Sequence, residues 1–226
     1  AAHAYSIEGK PWRSGTITYY SRAPDQQWAI ARAVNAWNAS GANVRFVAIS
    51  DPAADIVIEH FRQSSCTVGG MLGEAVLTRA GNAVVYVRPL DDAYSGCSRW
   101  TAATTLVHEL GHVLGLGHET RGCAAMNPRA DIFGPTLCPR PAGLEWRCQL
   151  LSQDDVAGAV RLYGGFIRPL AEPATCPLYP QISPPRTLAA EYRPDQGGIR
   201  LAFPRPSEPL LPAFITKLFA NDPPGL

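Results

Sequence analysis

From Leu106 to His118 the chain reads "LVHELGHVLGLGH", and this run leaves the backbone few choices. Trp100, Ala103, Leu106, Val107, Leu110, Val113 and Leu114 recur at three- and four-residue spacing, the period of an α-helix with one apolar stripe. Ser98 or Thr101 can cap its start. Gly115 stands where a helix ends most easily, because glycine takes the left-handed conformation without steric cost. The spacing therefore predicts a helix ending in a glycine turn. Thr101, Thr105, His108 and His112 fall on a face of their own, away from the core stripe.

Around this helix the pattern alternates between strand and helix. "GTITYYS" is a strand by alternation and β-branching, and "PDQQWAIARAVNAWNASG" is a second amphipathic helix carried by Trp28, Ile30, Ala33, Val34 and Trp37. "VRFVAIS" and "ADIVIEHF" are strands whose continuous apolar runs predict burial on both faces. "NAVVYVRP" is a further strand, and glycines 69, 70 and 73 mark an irregular loop leading into another. "LSQDDVAGAVRLYGG" is a closing helix, with Ser152 and Asp155 as its capping box and Gly164 as its stop. This order predicts an α/β (α+β) fold, a mixed twisted sheet with three main helices.

The 226 residues suffice for one domain with its own core plus an appendage. Composition changes after Gly165, since 13 of the 21 prolines fall in the last 60 residues. We therefore divide the chain into 1–165, a domain built around the histidine-bearing helix, and 166–226, a proline-rich tail. The tail's two alternating runs about a Gly-Gly turn resemble the opening strands of a fibronectin type III module; an extended proline-rich linker is the other reading. A net charge of +1 shows no bias toward nucleic acid or an anionic membrane surface, and no run of eighteen apolar residues exists to cross a bilayer. Six cysteines, at 66, 97, 123, 138, 148 and 176, are even in number and never spaced CxxC, which favours disulfides over a thiolate metal site. Cys66 with Cys97, and two pairs among the other four, is the expected pairing. The cysteines and an opening "AAHAY" without methionine lead us to expect a processed, extracellular protein.

His108 and His112 are four apart, so on a helix their rings stack on one side and can share a cation. The turn at Gly115 brings His118 back as a third donor. Three neutral imidazoles without a thiolate fit one catalytic zinc, leaving a fourth position open to water. Glu109, beside them, is the expected general base. His3 and His60 belong to no such cluster and read as ordinary structural histidines.

The longer pattern His108, Glu109, His112, Gly115, His118, followed by Met126 in "CAAMNP", resembles the metzincin zinc peptidases, whose methionine forms a floor under the metal. Within that clan "WAIARAVNAWNA", "ADIVIEHF" and "LSQDDVAGAVRLYG" resemble the matrixins, the matrix metalloproteinase family, over roughly residues 10 to 165. The resemblance implies a five-stranded sheet above a cleft, extended peptide or protein substrates bound antiparallel to the edge strand near "GGMLGEAVL", and a hydrophobic primed-side pocket walled by "NPRADIFG". It implies Glu109 as the catalytic residue, His108, His112 and His118 as the metal ligands, and Gly115 and Met126 as supports of the site.

The chain departs from the pattern at Gly117, where matrixins commonly have aspartate, and at Glu119, where they have serine. Glu74 stands where a structural zinc site would have histidine, so no second zinc is expected; Asp91 and Asp92 could contribute to a calcium site. The reading is a secreted, monomeric zinc endopeptidase with no nucleic-acid partner. Two other classes remain: a silent binding or adhesive protein on the same fold, against which the intact Glu109 argues, and a zinc hydrolase of non-peptide substrates.

Overall fold

A computed structural model describes residues 5–61, 72–78, 81–91, 97–131, 134–138 and 150–167, and the backbone of three strands within 189–215. Its centre is a five-stranded sheet. β2 (Thr16–Ser21) is flanked by β3 (Arg45–Ala48) and β4 (Ile56–His60), and β4 is followed by β6 (Ala83–Val87) and then β5 (Gly73–Leu77), in the order β3-β2-β4-β6-β5. All neighbours are parallel except β5, which runs antiparallel to β6 and forms the outer edge. In this register Gly73 lies opposite Val87 and Leu77 opposite Ala83.

Two helices pack on the sheet. α1 (Gln27–Asn38) follows a 3-10 turn at Pro24–Gln26, and α2 (Arg99–Leu114) lies across β5 and β6. Ile17, Ile56, Ile58, Val85 and Val87 meet Trp37, Leu106, Leu110 and Leu114 in one core, with each of these side chains at 2% exposure or less. A buried indole needs a partner for its N–H; Trp37 donates to the Val107 carbonyl at 3.0 Å, tying α1 to α2. Asn38, at the end of α1, bonds both ways with Phe46 on the outer strand β3 at 2.7 and 3.0 Å, covering backbone groups that an edge strand leaves open.

The strands are not buried on both faces, as their apolar runs predict. In β4 Ile56 and Ile58 are fully buried, whereas Val57, Glu59 and His60 are only half-buried, because the helices cover one face of the sheet. Trp28 and Trp100, read as core, pack edge to face with centroids 4.8 Å apart and are half-buried, with the Arg32 guanidinium 5.9 and 6.0 Å from the two rings.

α3 (Gln153–Tyr163) closes the domain with the expected capping box between Ser152 and Asp155, and stops at Gly164 with φ of 72°. Short pairs complete this region. β1 (Ser6–Ile7) runs antiparallel to β7 (Leu116–Gly117), and β8 (Ala130–Asp131) to β9 (Gly134–Pro135). Cys123 and Cys138 form a disulfide, one pair within the expected group of four; Cys97 is also bonded, to a partner outside the described residues. In the tail β10 (Ala189–Arg193), β11 (Gly198–Ala202) and β12 (Phe214–Ile215) form a three-stranded antiparallel sheet. No helix among the described residues is long and apolar enough to cross a membrane. Asp92, His3 and the cysteines at 66, 148 and 176 lie outside the described residues.

Candidate metal centre and active site

α2 opens with Ser98, whose Oγ accepts the Thr101 N–H at 3.3 Å, and ends at Gly115 with φ of 99° and ψ of 11°. In that left-handed conformation the Gly115 N–H reaches back to the carbonyls of Gly111 and His112. The chain turns over the helix end, and His118 comes beside the two helix-borne histidines.

The three imidazoles converge through Nε2. His112 Nε2 lies 3.0 Å from His108 Nε2 and 3.2 Å from His118 Nε2, and the three ligand nitrogens all lie within 4.8 Å of one another. The far nitrogens explain the orientation. His108 Nδ1 sits 2.8 Å from the Ala125 carbonyl and His112 Nδ1 2.9 Å from the Leu116 carbonyl. A carbonyl only accepts, so both Nδ1 atoms carry the proton and both Nε2 lone pairs face inward. Lone pairs face to face repel, and a shared cation relieves them. A tetrahedral ion with nitrogen ligands at about 2.0–2.1 Å holds them about 3.3 Å apart, which the observed spacings of the His112 pairs match. Burial, with neighbouring imidazoles adding to it, pushes His108 down to about 3, and burial also lowers His112, so both stay neutral and able to ligate at physiological pH.

Glu109, three residues after Leu106 and four before Val113 on α2, is buried, as are Thr101 and Thr105. The side of α2 that carries Thr105 and Glu109 is thus covered in part by the edge strand. A Cβ on Gly73 of β5 would lie 2.5 Å from Thr105 Cγ2 and 2.8 Å from Glu109 Oε1, so the strand passes directly over the carboxylate. Burial raises the Glu109 carboxyl to about 8, with the Ala75 N–H working against it and the charge of Glu74 adding to it. A cation at the three histidines pulls it down again, toward the ionised form that can take a proton.

The wall facing α2 is the loop through Met126. A Cβ on Gly111 would sit 2.3 Å from Met126 Sδ and 3.3 Å from Trp37 Cζ2, so the methionine packs against bare helix backbone between the two histidine turns. A glycine inside a strong helical pattern is the sequence signal for such an approach. The loop is held from α3. Asp155 accepts the N–H groups of Ala125 at 2.8 Å, Met126 at 3.1 Å and Ser152 at 2.7 Å. The peptide unit whose N–H meets Asp155 at Met126 presents its carbonyl, that of Ala125, to His108 Nδ1. Burial pushes the Asp155 carboxyl up, and the groups bonded to it pull it back. The capping-box pattern locates Asp155 at a helix start, but no sequence signal announces its second task.

Glu119, at 1% exposure, accepts the backbone N–H groups of Arg121 and Gly122, while its own N–H donates to the Met126 carbonyl at 2.9 Å. Asn127 Nδ2 donates to the carbonyls of Glu119 and Gly122, both at 2.8 Å. Between this loop and β5 lies an open cleft of about 320 Å³, lined by Gly73, Thr104, Thr105, His108, Glu109 and Asn127 among others.

His60 lies outside the cleft, with Nε2 2.7 Å from Asp25. A helix-borne pair of imidazoles, a third on the turn beyond and a buried carboxylate between them and an open sheet edge define a metallohydrolase-type centre. Residues 11–164 match the sequence profile of the Matrixin family. Similar proteins include Metalloendoproteinase 1-MMP of Arabidopsis thaliana, 29% identical over a 187-residue alignment that covers 72% of this chain and 47% of that protein. Macrophage metalloelastase of Oryctolagus cuniculus is 29% identical over a 181-residue alignment that covers 72% of this chain and 36% of that one. The chain thus spans about half or less of the length of these relatives. It belongs to the matrixin family.

Proposed function

We propose that this chain is a zinc-dependent endopeptidase. The observation that carries the reading is the convergence of three inward-facing Nε2 atoms beside a buried glutamate, at the foot of an open sheet edge. His108, His112 and His118 hold one zinc ion, which when bound acidifies water and polarises a carbonyl oxygen. Glu109 accepts the proton of the attacking water and delivers it to the leaving amine. Among the described residues β5 has one strand neighbour, so its outer edge can accept an extended peptide as an additional strand. Gly73, having no side chain, lets β5 pass close over Glu109, which sets the carboxylate beside that edge. Gly115 and Met126 support the ligands, through the left-handed turn and the packing on Gly111.

The wider assignments belong to the same proposal. Residues 1–165 form the catalytic domain. The antiparallel strands of 166–226 are part of a fibronectin type III-like segment, a reading their meander supports. The disulfides fit an extracellular location, and the enzyme acts as a monomer on proteins or peptides. Calcium has no further support, since Asp91 alone of its two candidate residues is described.

The test is cleavage of an unfolded protein substrate by the full chain, with and without a chelator, beside Glu109→Ala. Zinc binding with chelator-sensitive cleavage, lost in Glu109→Ala while zinc is retained, supports the proposal. A wild type that binds zinc and cleaves no peptide bond overturns it.

A further inference from the structure

The outer side of the metal centre is built by the N-terminal segment. A helix ends with carbonyls that lack intrahelical partners, and here residues 8–12 reach those of Val113 and Gly115. The Gly115 carbonyl accepts the N–H groups of Glu8 and Gly9, both at 3.0 Å, and the Val113 carbonyl accepts Trp12 Nε1 at 2.7 Å. Tyr163, whose hydroxyl donates to the Leu114 carbonyl at 2.9 Å, accepts the Trp12 N–H at 3.2 Å. Backbone meets backbone: a Cβ on Gly9 would lie 2.8 Å from the Gly115 Cα. β1 pairs Ser6 with Gly117 in the next register position, so the segment is fixed against the turn that leads from His112 to His118.

This pairing fixes where the Glu8 side chain goes. A Cβ built on Gly117 would meet Glu8 Cγ, Cδ and Oε1, each at 2.5 Å. Glu8 therefore occupies the space that a side chain at 117 would fill, one residue before His118. Gly117 is not in the left-handed region, so glycine is needed there for space and not for its backbone angles.

We propose that Glu8 is a positioning residue of the metal centre: its carboxylate, laid over Gly117 by the β1–β7 pair, holds the turn presenting His118 and adds negative charge on the outer side of the bound cation. This rests on the zinc reading above. The carboxylate acts through the ligand turn and touches neither substrate nor water in the cleft. Groups behind first ligands commonly change metal affinity tenfold or more, and the exposure of Glu8 puts its effect at the low end of that range.

The experiment uses the full chain as wild type, Glu8→Gln, Glu8→Ala and the double variant Glu8→Ala/Gly117→Asp. Zinc affinity is measured by competition with a chromophoric chelator, and the visible spectrum of the cobalt-loaded forms is recorded. Glu8→Gln is expected to bind zinc about three- to tenfold more weakly than wild type. Glu8→Ala is expected to be weaker still, with an altered cobalt spectrum, and Gly117→Asp in that background to restore at least half of the lost affinity on a logarithmic scale. Glu8→Gln within twofold of wild type overturns the proposal, as does failure of the double variant to recover. Should Glu8→Ala fail to fold, the isosteric Glu8→Gln decides. A wild type that binds no zinc takes down the metallopeptidase reading as well, whereas a zinc-binding, peptide-cleaving wild type matched by Glu8→Gln removes this inference alone.

Discussion

Two histidine sites in this molecule show how the same side chain is committed to opposite tasks. At the metal centre His108 and His112 spend Nδ1 on backbone carbonyls, meet no carboxylate within hydrogen-bond reach among the described residues, and turn their Nε2 lone pairs toward a common point. His60 likewise sets Nδ1 against a backbone carbonyl, that of Val87 at 3.4 Å, but its other nitrogen differs. Its Nε2 faces the Asp25 carboxylate at 2.7 Å, and the pair is partly exposed. Burial pushes the Asp25 carboxyl up, but the Leu90 N–H and His60 outweigh it and hold it below the usual range. What the second nitrogen faces, more than the presence of histidine, decides whether a site collects a cation or makes a surface ion pair.

The largest expected difference between the two sites comes from deleting each. His112→Ala should lower zinc affinity by about a thousandfold or more, because three donors become two, and should abolish peptide cleavage. His60→Ala should leave both within about twofold of wild type and cost less than about 1 kcal/mol in a denaturant melt, as expected for a partly exposed pair. Equal losses from the two substitutions would erase the contrast.

Next in size is Glu109→Gln, expected to reduce kcat by about 10²- to 10⁴-fold with zinc still bound. Retained turnover would show that the proton goes elsewhere. Asp155→Ala removes the acceptor for three backbone N–H groups, and a buried donor left unpaired costs about 1–3 kcal/mol. We expect at least about 3 kcal/mol of lost stability together with weaker zinc binding. Lost stability with unchanged zinc affinity would separate the loop from the metal centre.

Acid should distinguish the sites more gently. His108 has a folded pKa of about 3 against an ordinary 6.5, so the unfolded chain takes up a proton first as pH falls. Its contribution to apo-protein stability is complete above 6.5 and is lost as pH drops from there toward 3. The urea midpoint of the metal-free protein should fall across that window, and less steeply in His108→Gln. Asp25, with its lowered pKa, works in the same direction, but its loss begins only when pH falls into the ordinary carboxylate range, where the unfolded chain protonates first, and continues below it. An equal slope in wild type and His108→Gln would remove the role assigned to His108 burial.

The local features of this fold were legible in sequence where a single element carries them. Apolar spacing located α2, Ser98 and the Ser152–Asp155 box located helix starts, and the left-handed turn at Gly115 followed from its place after the stripe. The histidine cluster was legible for the same reason, since helix period and one turn generate it. Features made by residues distant in the chain were not. Nothing in "ADIVIEHF" says that the helices cover only one of its faces. A two-residue strand such as Ser6–Ile7 is too short to show a period, so its pairing across the turn at Gly117, and with it the placement of Glu8, appears only in three dimensions. Asp155 carries a helix cap and a loop anchor on one carboxylate, and the cap alone leaves a sequence trace.

The central claim is that one zinc ion is held by His108, His112 and His118 with a fourth position open. X-ray absorption at the zinc edge, on the full chain loaded with one equivalent of zinc, tests it most directly. The account predicts three imidazole nitrogens and one further oxygen at about 2.0–2.1 Å, with the imidazole scattering reduced by one ring in His118→Ala. Thiolate scattering near about 2.3 Å, or an unchanged imidazole count in His118→Ala, would contradict it.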